Sequence, residues 1–318
     1  MKRYLAYGTL VFGFLAGCAV GPDYVKPDIQ VEKNWDGVKA APFAAPPAAA
    51  KVSTLKEYAA WWRTFNAPAL HRLVNEALES NLDLKLAETR IRDVRAQLII
   101  SRSAGLPTVN ASASDTRGRT SSNVVQNTTA GTFTSSGTVS SLYRAGFDAG
   151  WEIDVFGGVR RSVEAAQADM EAAIEDGRSV QVTLLGEVAS NYIDLRGFQN
   201  QLAIARYNLK SQEDTLELTQ ARYKGGLSSG LDVARAASQA TDTASRIPII
   251  ETSIKRATYR LGVLLGKDPS ALAEELALGG PVPVSSTGVL PGLPSELLLR
   301  RPDIRRAERR LASATARI

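Results

Sequence analysis

Apolar residues recur along this chain at two periods, and the change from one to the other marks its elements. From Ala69 to about Ser103 the spacing is three and four: Leu70, Leu73, Val74, Ala77 and Leu78, then Leu84, Ala87, Ile91, Val94 and Leu98. That stripe predicts a helix over 69–103, stopped by Gly105 and Pro107. Period two follows. Residues 108–118 predict a strand with poorly contrasted faces, and 142–155 a second one. In the second, Tyr143, Ala145, Phe147, Ala149, Trp151 and Ile153 share one phase, and Arg144, Asp148, Glu152 and Asp154 the other. Between them, residues 120–141 hold no charge and are rich in Ser, Thr, Asn and Gly, which reads as a solvated loop.

Beyond Gly157-Gly158 the period lengthens to seven. Val188, Leu195, Leu202, Leu209, Leu216 and Tyr223 form one series, with Asn191, Phe198, Ala205, Gln212 and Thr219 three residues on. After a turn at Gly225 to Gly230, Val233, Ala240, Ile247, Ile254 and Leu261 resume it, accompanied by Ala236, Thr243, Ile250, Ala257 and Leu264. Seven-residue spacing sustained this long predicts two antiparallel helices, over about 159–266, that supercoil on their neighbours. The first arm would run about 95–100 Å at 1.5 Å per residue. Pro248 interrupts the return arm, where an interior proline costs about 3 kcal/mol or kinks the helix. The fold class expected is mostly α with a β portion: a long helical hairpin and two strands.

The amino terminus belongs to neither pattern. Met1-Lys2-Arg3 leads an apolar run, Tyr4 to Ala16, too short to span a bilayer as a helix and suited to a signal peptide over 1–17. The run ends in Leu15-Ala16-Gly17-Cys18, which looks like a bacterial lipobox. Lipidation of Cys18 would make it the mature amino terminus, and several acyl chains would anchor it firmly, at about 0.8 kcal/mol per buried methylene. The competing reading is a plain signal peptide with a stray cysteine. Ala19 stands where an Asp would hold many lipoproteins at the inner membrane, so the destination implied is the outer membrane. Residues 18–68, with Gly21-Pro22, Pro27 and the Ala/Pro-rich Ala40 to Ala50, read as an extended segment.

Charge and composition matter only through their placement. The chain carries a formal net charge of +5, one Cys and one His. One cysteine forbids an internal disulfide, and one histidine makes a His-built metal site or triad improbable. Loss of Lys2 and Arg3 with the signal lowers the charge from +5 to +3. Seven Arg against Asp303 and Glu308 then put +5 on residues 300–318 alone, leaving −2 for 18–299. The basic balance is therefore no argument for nucleic acid. His71 lies in a helical segment without an acid or nucleophile at a useful spacing, and reads as an exposed helix residue. Alternation sets Asp148, Glu152 and Asp154 on one strand face, so they read as a polar surface rather than an acid pair.

Residues 81–98 recur near the carboxyl end. At an offset of 220, Asp83/Asp303, Ala87/Ala307, Glu88/Glu308, Arg90/Arg310 and Ala96/Ala316 are identical. This predicts a first repeat over 69–292 and the start of a second over 293–318 that breaks off in mid-helix, as in a piece of a longer protein.

Taken together these segments resemble the outer membrane factor (outer membrane efflux protein) family, in its lipoprotein branch. The matching pieces are Cys18-Ala-Val-Gly-Pro-Asp-Tyr-Val-Lys-Pro27, Trp61-Trp62 through Pro68 and Leu70, and Asn81-Leu-Asp-Leu84. Further on come Trp151-Glu-Ile-Asp-Val-Phe-Gly157, Arg222-Tyr-Lys-Gly-Gly-Leu-Ser-Ser-Gly-Leu-Asp232, Leu264-Leu-Gly-Lys-Asp-Pro269 and Leu299-Arg-Arg-Pro-Asp303. Ala67 departs from the family's frequent Asp. The resemblance implies two repeats per protomer and a homotrimer. Each repeat would give two strands to a membrane β-barrel and a helical hairpin to a periplasmic α-barrel. It implies a passive conduit of a tripartite efflux system, partnered by outer-membrane lipid, a periplasmic adaptor and an inner-membrane pump. No catalytic residue, metal or cofactor is implied beyond lipid on Cys18.

By the same resemblance Gly225, Gly226, Leu227 and Ser228 form an adaptor-contact tip, and Asp232 makes a polar contact of the closed state. Two readings of Asp232 stand open, that contact and a helix-capping acid. The two strands alone fit either a soluble hairpin or a transmembrane pair. A periplasmic coiled-coil adaptor or structural lipoprotein would explain the helical hairpin, but not the strands or the repeat.

Overall fold

The computed structural model describes residues 20–28, 60–119, 125–128, 131–134, 139–285 and 298–318. Cys18 lies outside them. A 3₁₀ turn at Trp61–Phe65 precedes helices α1 (Pro68–Ser80) and α2 (Leu82–Ser103). Strands β1 (Thr108–Arg119), β2 (Val125–Thr128), β3 (Gly131–Thr134) and β4 (Val139–Gly150) follow. Helices α3 (Gly158–Lys224), α4 (Gly230–Leu264) and α5 (Pro302–Ala316) complete the order. At 67 residues, α3 is about 100 Å long.

The chain divides into two compact units: Met1–Val25, Val94–Asp169 and Leu311–Ile318 in one, Lys26–Asp93 and Met170–Arg310 in the other. The second holds the hydrophobic core. Leu70, Leu73, Val74 and Ala77, one stripe of α1, pack with Leu184, Leu185, Val188, Tyr192 and Leu195 of α3. Ala257, Leu261 and Leu264 of α4, with Leu265, Leu272 and Leu276, join the same core. Trp62 is buried there as well, so the segment expected to be extended as far as residue 68 instead folds into a turn at 61–65. His71, expected to be exposed, is half-buried, its Nε2 enclosed without a partner among the described residues.

The helix expected over 69–103 is two helices. Asn81 separates them, with φ −58° and ψ 133°. Its side chain holds the break: Oδ1 accepts from the Leu84 N–H at 2.9 Å, and Nδ2 donates to the Leu264 carbonyl at 2.8 Å. Ser80 Oγ donates to the Leu265 carbonyl at 2.6 Å. Backbone must come very close here. A Cβ on Gly262 would lie 2.8 Å from the Asp268 carbonyl oxygen, and Gly266, at φ +65°, leaves 2.7 Å to that of Ser80.

The heptad seams are visible as burial. Among residues 202–224 only Leu202, Ala205, Leu209, Gln212, Leu216 and Thr219 are shielded, every one a seam position. In α4, Val233, Ala236, Ala240, Thr243, Ile247, Ile250, Ile254, Ala257, Leu261 and Leu264 are all shielded. Tyr223, last of its series, is exposed, because the turn begins two residues later. Helix α4 runs through Pro248, whose missing N–H leaves the Ala244 carbonyl without its helical donor. No helix among the described residues is long and apolar enough to cross a membrane.

Candidate functional site: an uncovered strand pair and a capped helical turn

β1 and β4 pair antiparallel over their full length, from Thr108 opposite Gly150 to Arg119 opposite Val139. The register sorts the side chains. Val109, Ala111, Ala113, Phe147, Ala145, Ala149 and Tyr143 fall on one face, with Asp115, Arg117 and Arg119 toward its far end. Thr108, Asn110, Ser112, Ser114, Thr116, Arg144 and Asp148 fall on the other, where Asn110 Nδ2 donates to Asp148 Oδ2 at 3.1 Å. All 24 residues of both strands are exposed, Phe147 at 85%. One largely apolar and one polar face, both exposed, suit a strand pair set between lipid and lumen.

The strand expected over 142–155 begins earlier and ends at Gly150. Its partner sets the limit: Thr108 is the first paired residue of β1, and Pro107 before it has no N–H to offer. Trp151 and Ile153 therefore lie beyond the ladder, and the Trp151 indole N–H donates to the Gly105 carbonyl at 3.1 Å. Glu152 and Asp154 leave the strand with them. Asp154 instead opens α3, accepting from the N–H groups of Val159 at 3.2 Å and Arg160 at 2.9 Å. Within the loop expected over 120–141, β2 and β3 pair as a short hairpin, and β4 starts at Val139.

Two residues after Cys18 the chain is held in place. The Val20 N–H donates to the Phe156 carbonyl at 3.2 Å, and Arg161 Nη2 donates to Asp23 Oδ1 at 2.7 Å and the Gly21 carbonyl at 3.1 Å. This attachment was not legible in spacing, since Asp23 and Arg161 are 138 residues apart.

The turn between α3 and α4 closes both helix ends. The Leu227 N–H reaches back to the Arg222 carbonyl at 2.8 Å and the Gly226 N–H to that of Tyr223 at 2.9 Å, a Schellman arrangement. Gly226 supplies the required left-handed residue, at φ +72°. Ser228 Oγ donates to the Thr219 carbonyl at 3.3 Å. Ser229, missed in the sequence, caps α4: its Oγ accepts from the Asp232 N–H at 3.2 Å, and its own N–H donates to Asp232 Oδ2 at 3.0 Å. Asp232 is thus the acid of a capping box, and its bonds from the Ser229 hydroxyl and N–H hold its carboxyl below the usual range. Leu227 is 74% exposed at the apex.

Residues 73–267 match the family model described as outer membrane efflux protein. The chain is 31% identical to nodulation protein T of Rhizobium leguminosarum bv. trifolii over 319 residues, covering 99% of this chain and 64% of that one. It is 32% identical over 305 residues to the toluene efflux pump outer membrane protein TtgF of Pseudomonas putida, covering 96% of this chain and 61% of the relative. Its fold superposes on the outer-membrane channel OprN with a TM-score of 0.77 at 34% identity, over 94% of this chain and 63% of OprN. The fold, which combines a long helical hairpin with a bare strand pair, is that of outer-membrane channels. The chain belongs to the outer membrane efflux protein family, and spans less than two thirds of the length of these relatives.

Proposed function

We propose that this chain is the outer-membrane channel component of a tripartite efflux system, a passive conduit for small molecules driven by an inner-membrane pump. The observation that carries the reading is the β1–β4 pair, whose apolar and polar faces are both uncovered. A strand pair in lipid has open edges and must join others to close. The helices ask for neighbours too, since Ile204, Tyr207 and Leu218 on α3 and Leu231 and Ile249 on α4 remain exposed outside the seams. Closure comes from further copies, as a homotrimer of the full-length protein. The turn Gly225, Gly226, Leu227 and Ser228 faces the periplasmic adaptor, and Asp232 adds a polar contact between protomers in the closed state. Cys18 carries the lipid, anchoring the protein in the outer membrane while its helices extend into the periplasm. The protein performs no covalent chemistry and uses no cofactor.

Fractionation and electrophoresis test this reading. The protein should sediment with outer membrane, migrate as a trimer unless heated, and lose incorporated labelled palmitate on Cys18→Ala. A Cys18→Ala protein recovered as a soluble monomer overturns the channel.

A further inference from the structure

Among the described residues two charged side chains are buried, Glu175 and Arg196, and only one of them has an opposite charge beside it. Glu175 Oε1 accepts from Arg178 at 2.6 Å and Arg305 at 2.8 Å. Arg196, 8% exposed, has only neutral hydrogen-bond partners among the described residues. Its Nε donates to the Tyr192 hydroxyl at 3.3 Å, and Nη1 to Gln199 Oε1 at 2.7 Å and the Leu278 carbonyl at 2.5 Å. The guanidinium lies 5.1 Å from the centre of the Tyr192 ring. Nη2 makes no hydrogen bond among the described residues and is not one of the enclosed atoms, so it stays open to a ligand. Neutral acceptors fill hydrogen bonds but do not compensate a buried charge, which is expensive to keep unpaired.

A second deficiency lies on the same cavity. It has a volume of about 290 Å³ and is lined by Arg196, Tyr192, Phe65, Ala67, Ala69 and Pro281, among others. Ala67 is the N-cap of α1 and has no side chain able to cap. The first helical bond runs from the His71 N–H to the Ala67 carbonyl, so the N–H groups of Ala69 and Leu70 find no acceptor among the described residues. Leu70 is fully buried, which makes its orphaned donor costly. A thirteen-residue helix thus opens its positive end, uncapped, on the cavity that Arg196 lines.

We propose that this cavity is a carboxylate-binding site, in which a small anion sits between the amino-terminal end of α1 and the Arg196 guanidinium. The carboxylate supplies at once the acceptor that the helix end lacks and the charge that Arg196 lacks. The ring of Phe65 and the apolar Pro281 and Val282 favour a ligand with a short apolar body.

The full chain in detergent, titrated with sodium acetate against sodium chloride at equal ionic strength, tests the site. Acetate should raise the unfolding midpoint by about 2 °C or more and show saturable binding by ¹³C relaxation of labelled acetate. Ala67→Asp supplies the carboxylate from the chain itself. It should unfold at a higher midpoint in chloride and lose the acetate response, and Arg196→Gln should lose acetate binding. An acetate effect of equal size in wild type and Ala67→Asp is a general salt effect and overturns the site, as does the absence of saturable binding to wild type. Ala67→Asp keeps the test decisive should Arg196→Gln fail to fold.

Discussion

Ser229 and Asp232 cap one another: the Ser229 hydroxyl accepts from the Asp232 N–H while the Asp232 carboxylate accepts from the Ser229 N–H and Oγ–H, the latter at 2.7 Å. The exposed turn is thereby fixed at the start of α4. Ser229→Ala should cost about 1 kcal/mol of local stability, read as faster amide exchange over residues 230–235 with the core unchanged.

The same pair gives a pH dependence of known sign. The Asp232 carboxyl is lowered from its ordinary value of 3.8, by its bonds from Ser229. A lowered carboxyl contributes stability that is complete above the ordinary aspartate range and is lost as pH falls below it. Amide protection at the first turn of α4 should therefore hold from neutral pH to about 5 and decline only below about 4. Asp232→Asn should abolish that acid dependence.

Core and surface leucines on the helical hairpin should separate cleanly. Leu195 and Leu261 are fully buried, and Leu218 is 60% exposed. Truncating either of the first two to Ala should cost about 2–5 kcal/mol in chemical unfolding. Leu218→Ala should leave the isolated chain nearly unchanged and weaken trimer migration instead.

Glycines divide in the same way. Gly262→Ala would drive a methyl group into the Asp268 and Pro269 carbonyls and should destabilise by about 1–3 kcal/mol. Gly186, in α3, has open space where its Cβ would stand, so Gly186→Ala should gain about 1 kcal/mol from helix propensity. Thermal unfolding of the two variants side by side reads both signs.

On the strand pair, face should outweigh position. Phe147→Lys sets a charge on the apolar face and should cost about 2–4 kcal/mol if that face meets the middle of a bilayer. Ser114→Lys, on the polar face, should be tolerated. Recovery of each protein in the outer-membrane fraction measures the difference.

What could be read in the sequence was whatever repeats. Over residues 202–264 every seam position of α3 and α4 but Tyr223 is shielded, because a seven-residue period keeps one stripe against its neighbours, down to Gln212 and Thr219, which no hydrophobicity scale would choose. Features set by a partner elsewhere in the chain were not legible. Alternation from Tyr143 continues to Ile153, yet β4 stops at Gly150 because β1 offers nothing beyond Thr108. The break at Asn81 depends on Leu264, 183 residues away, accepting its amide. Arg196 is polar in a seam-rich helix and looks like a surface residue; only its burial among neutral acceptors marks it out.

The bare strand pair carries a consequence for how this protein comes to be stable. β1 and β4 have their own ladder and no packing beneath it. If the proposed closure by further copies is what orders them, dilution should loosen the strands while leaving the helical core intact. On that reading the helical core is complete within this chain, whereas the strand pair waits for a neighbour.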